Sequence, residues 1–214
     1  MTARSIDLDD ILDLRAYERV RDDYRRRVIE LKRRRRVALG PILTAVFECA
    51  ETVRFQVQEM ARAERIATDE GIQQELDVYN RLLPAEGELS ATLFVELTTE
   101  AELRHWLPRL VGVERALAFE LGEPLGPGAP PGTVVPSVPE ATHAESLTRE
   151  AVTAAVHYVR FVFPEGAGAL FSGGGPVALV VRHPEYEART LLAPEVRAEL
   201  AADLEGRSEL LPLG

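Results

Sequence analysis

The sequence predicts an α+β fold, with helices packed on one or both faces of a mixed or antiparallel sheet of about five to seven strands. Some segments repeat apolar residues every three or four positions, as amphipathic helices do, and others are short apolar runs typical of strands. A capping box at Thr99 and Glu102 separates two strand-like runs. The 214 residues, 46% of them hydrophobic, suffice for one domain over 1–214 with a substantial core.

A basic N-terminal helix is predicted over residues 15–36. Its apolar residues recur at helical spacing, at Tyr17, Val20, Tyr24, Val28 and Leu31. Arginines fill the opposite face, and the helix closes with the tetrabasic run Arg33–Arg36. The run could be an anion or nucleic-acid patch, but we favour a solvated helix end whose cations complement the helix dipole.

The stretch after Gly40-Pro41 is ambiguous between helix and strand. Residues 42–48 are an apolar run of strand length. Residues 53–58 alternate apolar and polar side chains as a strand does, yet the apolar positions also continue along one helical face to Ala61. We favour a helix over residues 53–67 with Thr52 as N-cap, and a hairpin over 42–58 remains the alternative.

The rest of the chain alternates between the two element types. We predict helices over 70–81, 99–110 and 194–204, and strands over 90–97, 114–121, 152–163 and 176–182. Residues 122–140 contain six prolines and four glycines, which predicts a long surface loop or linker. The glycine-rich residues 164–175 are expected to form a hairpin loop, because they lack the Gly-Lys-Ser/Thr of a phosphate-binding loop.

Composition limits the cellular setting that we expect. No apolar run reaches the roughly 18 residues of a membrane helix, and the N-terminus lacks an apolar signal core. Cys49 is the single cysteine, so an internal disulfide or a CxxC pair is excluded. We expect a cytoplasmic protein without membrane association, in which Cys49 is buried rather than reactive.

Charge is distributed unevenly along the chain. Residues 15–36 hold eleven basic and four acidic side chains, a net +7 in a protein of net charge −10, which leaves −17 elsewhere. This asymmetry favours docking to an acidic partner or to the protein's own acidic surface. The candidate partner-binding residues are Arg25, Arg33, Arg34, Arg35 and Arg36. Nucleic-acid binding through residues 25–36 is a weaker alternative, because the whole chain is acidic.

A second candidate site is a cluster of long polar side chains set among apolar residues. Its members are Arg54, Gln56, Gln58, Glu59, Arg62, His157 and Arg160. The arginines could clamp a carboxylate or phosphate, which would make the cluster an anionic-ligand or enzyme site. Internal pairing of arginines with glutamates is the interpretation that we favour. His157 shares a strand face with Val159 and Phe161, and could be a general base but is more simply a structural histidine.

Sequence motifs identify no metal or cofactor. None of the four histidines has metal-ligand spacing, and the Glu-x-x-His pairs of a di-iron bundle are missing. The chain has no iron–sulfur cysteine spacing, no dinucleotide fingerprint and no GxSxG motif. We therefore expect neither a metal site nor a cofactor.

Ordered blocks over most of the chain resemble a bacterial protein family of unknown function. The blocks are LDDIL (8–12), YERVR (17–21), RVALGP (36–41), FE (47–48), TVRFQVQEM (52–60), ELDVYN (75–80), GELSATL (87–93) and HYVRF (157–161). The family looks like one often encoded beside a rubrerythrin and an iron–sulfur oxidoreductase related to heterodisulfide reductases. The resemblance implies a role around oxidative stress or electron transfer. Together with the charge asymmetry and the lack of a cofactor motif, it favours a non-catalytic accessory protein of a redox system with these two partners. It supplies no catalytic residues.

Overall fold

The computed structural model describes residues 5–122, 132–140, 152–207 and 210–213. The strands within these ranges are β1 (Arg36–Leu39), β2 (Leu43–Phe47), β3 (Glu88–Val95), β4 (Leu117–Leu121), β5 (Thr133–Pro139), β6 (Val156–Val162), β7 (Val177–His183) and β8 (Tyr186–Leu191). The helices there are α1 (Leu14–Arg33), α2 (Ala50–Glu64), α3 (Asp69–Tyr79), α4 (Glu100–Trp106), α5 (Ala167–Ser172) and α6 (Pro194–Leu204). Short 3₁₀ turns lie at Leu8–Asp10, Asn80–Leu82 and Val113–Arg115.

All strands of the described chain join one sheet in the order β1-β2-β3-β6-β5-β4-β7-β8, and every neighbouring pair is antiparallel. The α+β prediction is confirmed, with the sheet antiparallel throughout and larger than expected. None of the helices in these ranges is long and apolar enough to cross a membrane.

The sheet curls until its edge strands meet. The Tyr186 hydroxyl on β8 donates to the Leu39 carbonyl on β1 over 2.6 Å, and the Thr190 hydroxyl donates to the Ala38 carbonyl over 2.6 Å. Gly40, at φ +70°, makes this approach possible, because a Cβ there would lie 2.3 Å from the Tyr186 hydroxyl. The edge strands thus cover one another by side-chain hydrogen bonds instead of a continued ladder.

Phenylalanine rings fill the interior of the curled sheet. Phe119 lies at their centre, with ring centroids 4.8 Å from Phe161, 5.5 Å from Phe171 and 5.7 Å from Phe47. Alternate residues of β6 supply this interior, since His157, Val159 and Phe161 are buried on one face. The interior is therefore a packed core of side chains.

Helices α1, α2 and α3 form a second layer on the opposite face of the sheet. Tyr158, which points away from the interior on β6, packs against a cluster that includes Val53 and Val57 of α2. Helix α1 packs on α2 through Tyr24, whose ring lies 5.4 Å from that of Phe55. This layer contains most residues of the candidate ligand site.

The structure resolves the ambiguous stretch before residue 67. Helix α2 begins at Ala50, so the alternative hairpin over 42–58 is wrong. Its N-cap is Cys49 and not Thr52, because the Thr52 hydroxyl accepts the Cys49 N–H at 2.9 Å from the third helical position. Helix α1 ends at Arg33 and not at Arg36, because the chain turns there to enter β1.

Two segments that were predicted to be loops from their glycine and proline content contain regular secondary structure. Residues 133–139 within the predicted loop 122–140 form β5, where Val135 and Ser137 face inward and are buried. A strand forms there in spite of the prolines, because alternate side chains are buried in the core. Residues 123–131 of the predicted loop lie outside the described residues. The predicted hairpin loop 164–175 contains α5, which the buried Phe171 anchors to the core. The predicted strand over 152–163 begins only at Val156, and β8 was not predicted.

Truncation of the central core ring should strongly destabilise the protein. Phe119→Ala removes four ring contacts and leaves a cavity, so we expect the free energy of unfolding to fall by about 3–5 kcal/mol in urea titration. Val138, half-exposed on the outside of β5, provides the control, and Val138→Ala should change it by less than about 0.5 kcal/mol. Equal effects of the two substitutions would contradict this description of the core.

Candidate functional site

Arg35 ties three elements together at the junction of α1 and β1. Its side chain is 2% exposed and donates to the carbonyls of Phe47 and Glu48 at 3.0 and 3.2 Å. The guanidinium is hydrogen-bonded to the carboxylate of Asp203 on α6 and lies 3.5 Å from that of Glu199. The prediction that Arg35 binds a partner is therefore wrong, because its side chain is buried and holds α6 against β2.

Arg54 and Glu51 form a second buried ion pair within α2, on the side that faces α1. Two hydrogen bonds of 2.8 Å join the guanidinium of Arg54 to both carboxylate oxygens of Glu51, and these side chains are 5% and 2% exposed. The Arg54 Nε donates to the Tyr24 hydroxyl at 3.2 Å. A buried cation with this set of acceptors is fully engaged by the protein itself.

Glu59 accepts three hydrogen bonds from α1. The Tyr17 hydroxyl donates to Oε1 at 2.7 Å, and the Arg21 guanidinium binds both carboxylate oxygens at 2.8 Å. The hydrogen bonds from Arg21 hold the pKa of the Glu59 carboxyl below its usual range. Glu59 is thus a fixed anion that clamps the two helices together.

The remaining α2 residues of the candidate site also contact other parts of the chain. Gln58 is fully buried and exchanges two hydrogen bonds with the backbone of Leu12, at 3.0 and 2.9 Å. Arg62 pairs with Glu18 over 2.6 Å at the protein surface. The half-buried Gln56 is hydrogen-bonded to Tyr79 of α3. These contacts join α2 to the N-terminal segment, α1 and α3 respectively.

The two β6 residues point in opposite directions and do not join the α2 group. Arg160 donates to the Leu83 carbonyl at 3.1 Å and to Glu88 at 3.0 Å on the helical face of the sheet. His157 faces the interior, where its Nε2 lies 2.9 Å from the Thr153 hydroxyl and 3.0 Å from the Ala154 carbonyl. The structure therefore divides the seven candidate residues between the two faces of the sheet.

An unusual carboxylate lies beside His157. Glu114 is 7% exposed, and its Oε2 is the buried side-chain oxygen of the described chain that has no hydrogen-bond partner. This oxygen is 3.9 Å from His157 Nδ1, beyond hydrogen-bonding distance. Burial lowers the pKa of His157, and the attraction of Glu114 offsets that shift only in part. The sequence did not indicate Glu114, since nothing local links it to a strand 43 residues later.

Glu48 and Cys49 follow β2 in a buried polar turn. The hydroxyls of Thr52 and Thr92 each donate to one Glu48 carboxylate oxygen at 2.5 Å. Burial raises the pKa of the Cys49 thiol, although the nearby Arg35 acts against that shift. A buried thiol of raised pKa is a poor nucleophile, so Cys49 is structural. No group of three or more potential metal ligands occurs within the described ranges.

Four of the five candidate docking arginines remain at the surface. Arg25 is exposed and forms no ion pair with the described residues, and Arg33 pairs with Glu30 over 3.2 Å in full solvent. Arg34 pairs with Glu199 over 3.0 Å, and Arg36 pairs with Glu96. Exposed ion pairs of this kind stabilise a fold by about 1 kcal/mol or less, so their arginines can change partners.

Comparisons with other proteins place this chain in a group of unknown function. A family model described as protein of unknown function (DUF3501) matches residues 5–204. A crystal structure of a novel protein of unknown function from Burkholderia pseudomallei is 34% identical, with a TM-score of 0.82, and covers 94% of this chain and 100% of its own. No curated protein matches. These matches confirm the resemblance to a family of unknown function.

Two neighbouring arginines should differ sharply in their effect on stability. Arg35→Ala leaves Asp203 buried without its cation, and we expect the free energy of unfolding to fall by about 3–5 kcal/mol. Arg34→Ala removes only a surface pair and should lower it by less than about 1 kcal/mol. Urea unfolding of both variants checks this, and a wild-type midpoint for Arg35→Ala would contradict the internal role.

His157 should make the protein less stable in mild acid. Because burial lowers its pKa, the folded state binds fewer protons than the unfolded state below the ordinary histidine pKa of about 6.5. The free energy of unfolding should therefore fall as the pH drops from about 6.5 towards the folded-state pKa. His157→Gln should flatten this part of the pH profile of urea unfolding. If the pH profile of His157→Gln matched that of the wild type, groups other than His157 would cause the loss of stability in acid.

Proposed function

The chain belongs to the DUF3501 family, and we propose that it is a non-catalytic accessory protein that docks an acidic partner through exposed arginines of α1 and of the turn into β1. The partners that we propose are an iron–sulfur oxidoreductase and a rubrerythrin of a cytoplasmic redox system. The resemblance drawn from the sequence supports that choice of partners.

The observation that carries the proposal is the exposure of cations on an otherwise acidic protein. Residues 15–36 have a net charge of +7 and the other residues −17. Arg25, Arg33, Arg34 and Arg36 keep their guanidinium groups in solvent along this segment. A local positive surface of this kind steers and orients an acidic protein without needing a pocket.

The charge pattern favours a folded protein partner over nucleic acid. Asp22, Asp23 and Glu30 are exposed on α1 among the arginines. A uniform phosphate backbone would be repelled by these carboxylates, whereas a partner with both signs of charge could match them. Mixed charges on the helix also provide specificity, because wrongly placed like charges oppose binding.

The internal contacts of Arg54 and Glu59 argue against the alternative of an anionic-ligand pocket. Arg54 is bound by Glu51 and Tyr24, and Glu59 is bound by Arg21 and Tyr17. An anion arriving at this place would have to displace the buried Glu51 from Arg54 or the partly buried Glu59 from Arg21. The surface arginines that are paired have exposed or partly exposed carboxylate partners, which are displaced more easily than buried ones.

Charge reversal on the exposed face of α1 tests the proposal. Arg25→Glu combined with Arg33→Glu should raise the dissociation constant for the partner at least about tenfold at low salt, because favourable contacts become repulsive. Arg104→Glu, an exposed reversal on α4, is the control and should leave binding near wild type. Calorimetric titration against the purified iron–sulfur oxidoreductase, and separately against rubrerythrin, provides the measurement.

Salt provides a second arm of the same test. The wild-type affinity should fall as salt rises, whereas the doubly reversed variant should show little further loss. If neither partner binds the wild-type protein at low salt, with all proteins folded and soluble, the proposed function is wrong.

A further inference from the structure

The C-terminal residues 210–213 lie against the layer formed by α1 and α2. Leu210 packs against the apolar cluster that includes Val53 and Val57 of α2. Leu213 packs against the cluster of Tyr17, Tyr24 and Val28 on α1. The tail therefore has one apolar anchor on each side of the boundary between the two helices.

Between these anchors, the helices recognise the main chain of the tail. The N–H of Leu211 donates to Glu51 Oε2 at 2.8 Å, and the carbonyl of the same residue accepts from the Arg54 guanidinium. The Pro212 carbonyl accepts from Arg27 Nη1 at 3.0 Å. One buried ion pair thus binds both the backbone donor and the backbone acceptor of a single residue, as a neighbouring strand would.

The side chain between the anchors contributes little to this recognition. Leu211 is 42% exposed, and it is the backbone of this residue that is held. The segment Leu-Leu-Pro-Leu has no charged side chain, so its hydrogen bonds to Glu51 and Arg54 come from neutral groups. Such recognition depends on an extended peptide with apolar residues at two positions and does not depend on one particular sequence.

We infer that the boundary between α1 and α2, around Glu51 and Arg54, is a peptide-binding groove that the chain's own tail fills. Its other occupant is an extended segment of a partner protein with the pattern apolar-x-Pro-apolar. The inference does not rest on docking through the exposed arginines, because the groove recognises neutral backbone groups. The tail acts as a tethered competitor, with an effective concentration that reaches the millimolar range for a short connection.

The tail offers matched variants in the full-length chain. Leu210→Asp with Leu213→Asp places charges in both apolar clusters and should release the tail, because an unpaired charge is disfavoured there. Leu211→Ala is the control, since it keeps both anchors and all backbone hydrogen bonds. The probe is a fluorescein-labelled peptide of residues 205–214, and a scrambled peptide of the same composition tests specificity.

Fluorescence anisotropy should separate the variants. The released variant is expected to bind the probe at least about tenfold more tightly than the wild type or Leu211→Ala, because its groove is no longer occupied in cis. Failure of the folded, released variant to bind, or equal binding of the scrambled peptide, would overturn the inference. The released variant could instead dimerise at the same concentrations by covering its groove with another part of a second copy. The groove would then be a self-association surface, and the inference would also be overturned.

Hydrogen exchange in the wild-type protein keeps the inference testable if the released variant does not fold. The Leu211 amide should exchange slowly because it is bonded to a buried carboxylate. Excess unlabelled peptide of residues 205–214 should accelerate that exchange at least about threefold by displacing the tail, since the two compete for one groove. Unchanged protection at saturating peptide would show that the groove does not accept a peptide in trans.

Discussion

The structure depends on the pairing of buried charges where its helices meet the sheet and one another. Arg35 with Asp203 joins the turn after α1 to β2 and α6, and Arg54 with Glu51 joins α2 to the C-terminal tail. A buried ion pair adds little net stability compared with apolar packing, but either member alone is strongly destabilising. Arg35 and Asp203 lie 168 residues apart, so their pairing fixes which elements meet. Glu51 and Arg54 both lie on α2, and their hydrogen bonds to Tyr24 and Leu211 hold α1 and the C-terminal residues against that helix.

This constraint separates the polar residues that build the protein from those that remain at its surface. Arg54, Gln58 and Glu59 hold α1, α2 and the N-terminal segment together. Arg25 and Arg33, by contrast, extend from α1 into solvent and are available to another protein. The interior satisfies most of its own polar groups, and so the exposed charges are the features that best indicate a function.

Sequence patterns predicted local structure well and long-range pairing poorly. The stripe at Tyr17, Tyr24 and Val28 predicted α1, because helical periodicity is a local property. The tetrabasic run could not show that Arg35 alone is buried, since that depends on Asp203, which lies 168 residues later. Likewise β5 follows from its pairing with β4 and β6, which a proline-rich sequence conceals.

A double-mutant cycle on Glu51 and Arg54 is the most direct test of this account. Urea unfolding of Glu51→Ala, Arg54→Ala and the double variant gives the coupling energy between the two side chains. The account predicts that each single change lowers the free energy of unfolding by about 3–5 kcal/mol and that the double variant loses much less than the sum. Wild-type stability of either single variant would contradict the claim that this pair organises the fold, and would return Arg54 to the list of candidate ligand residues.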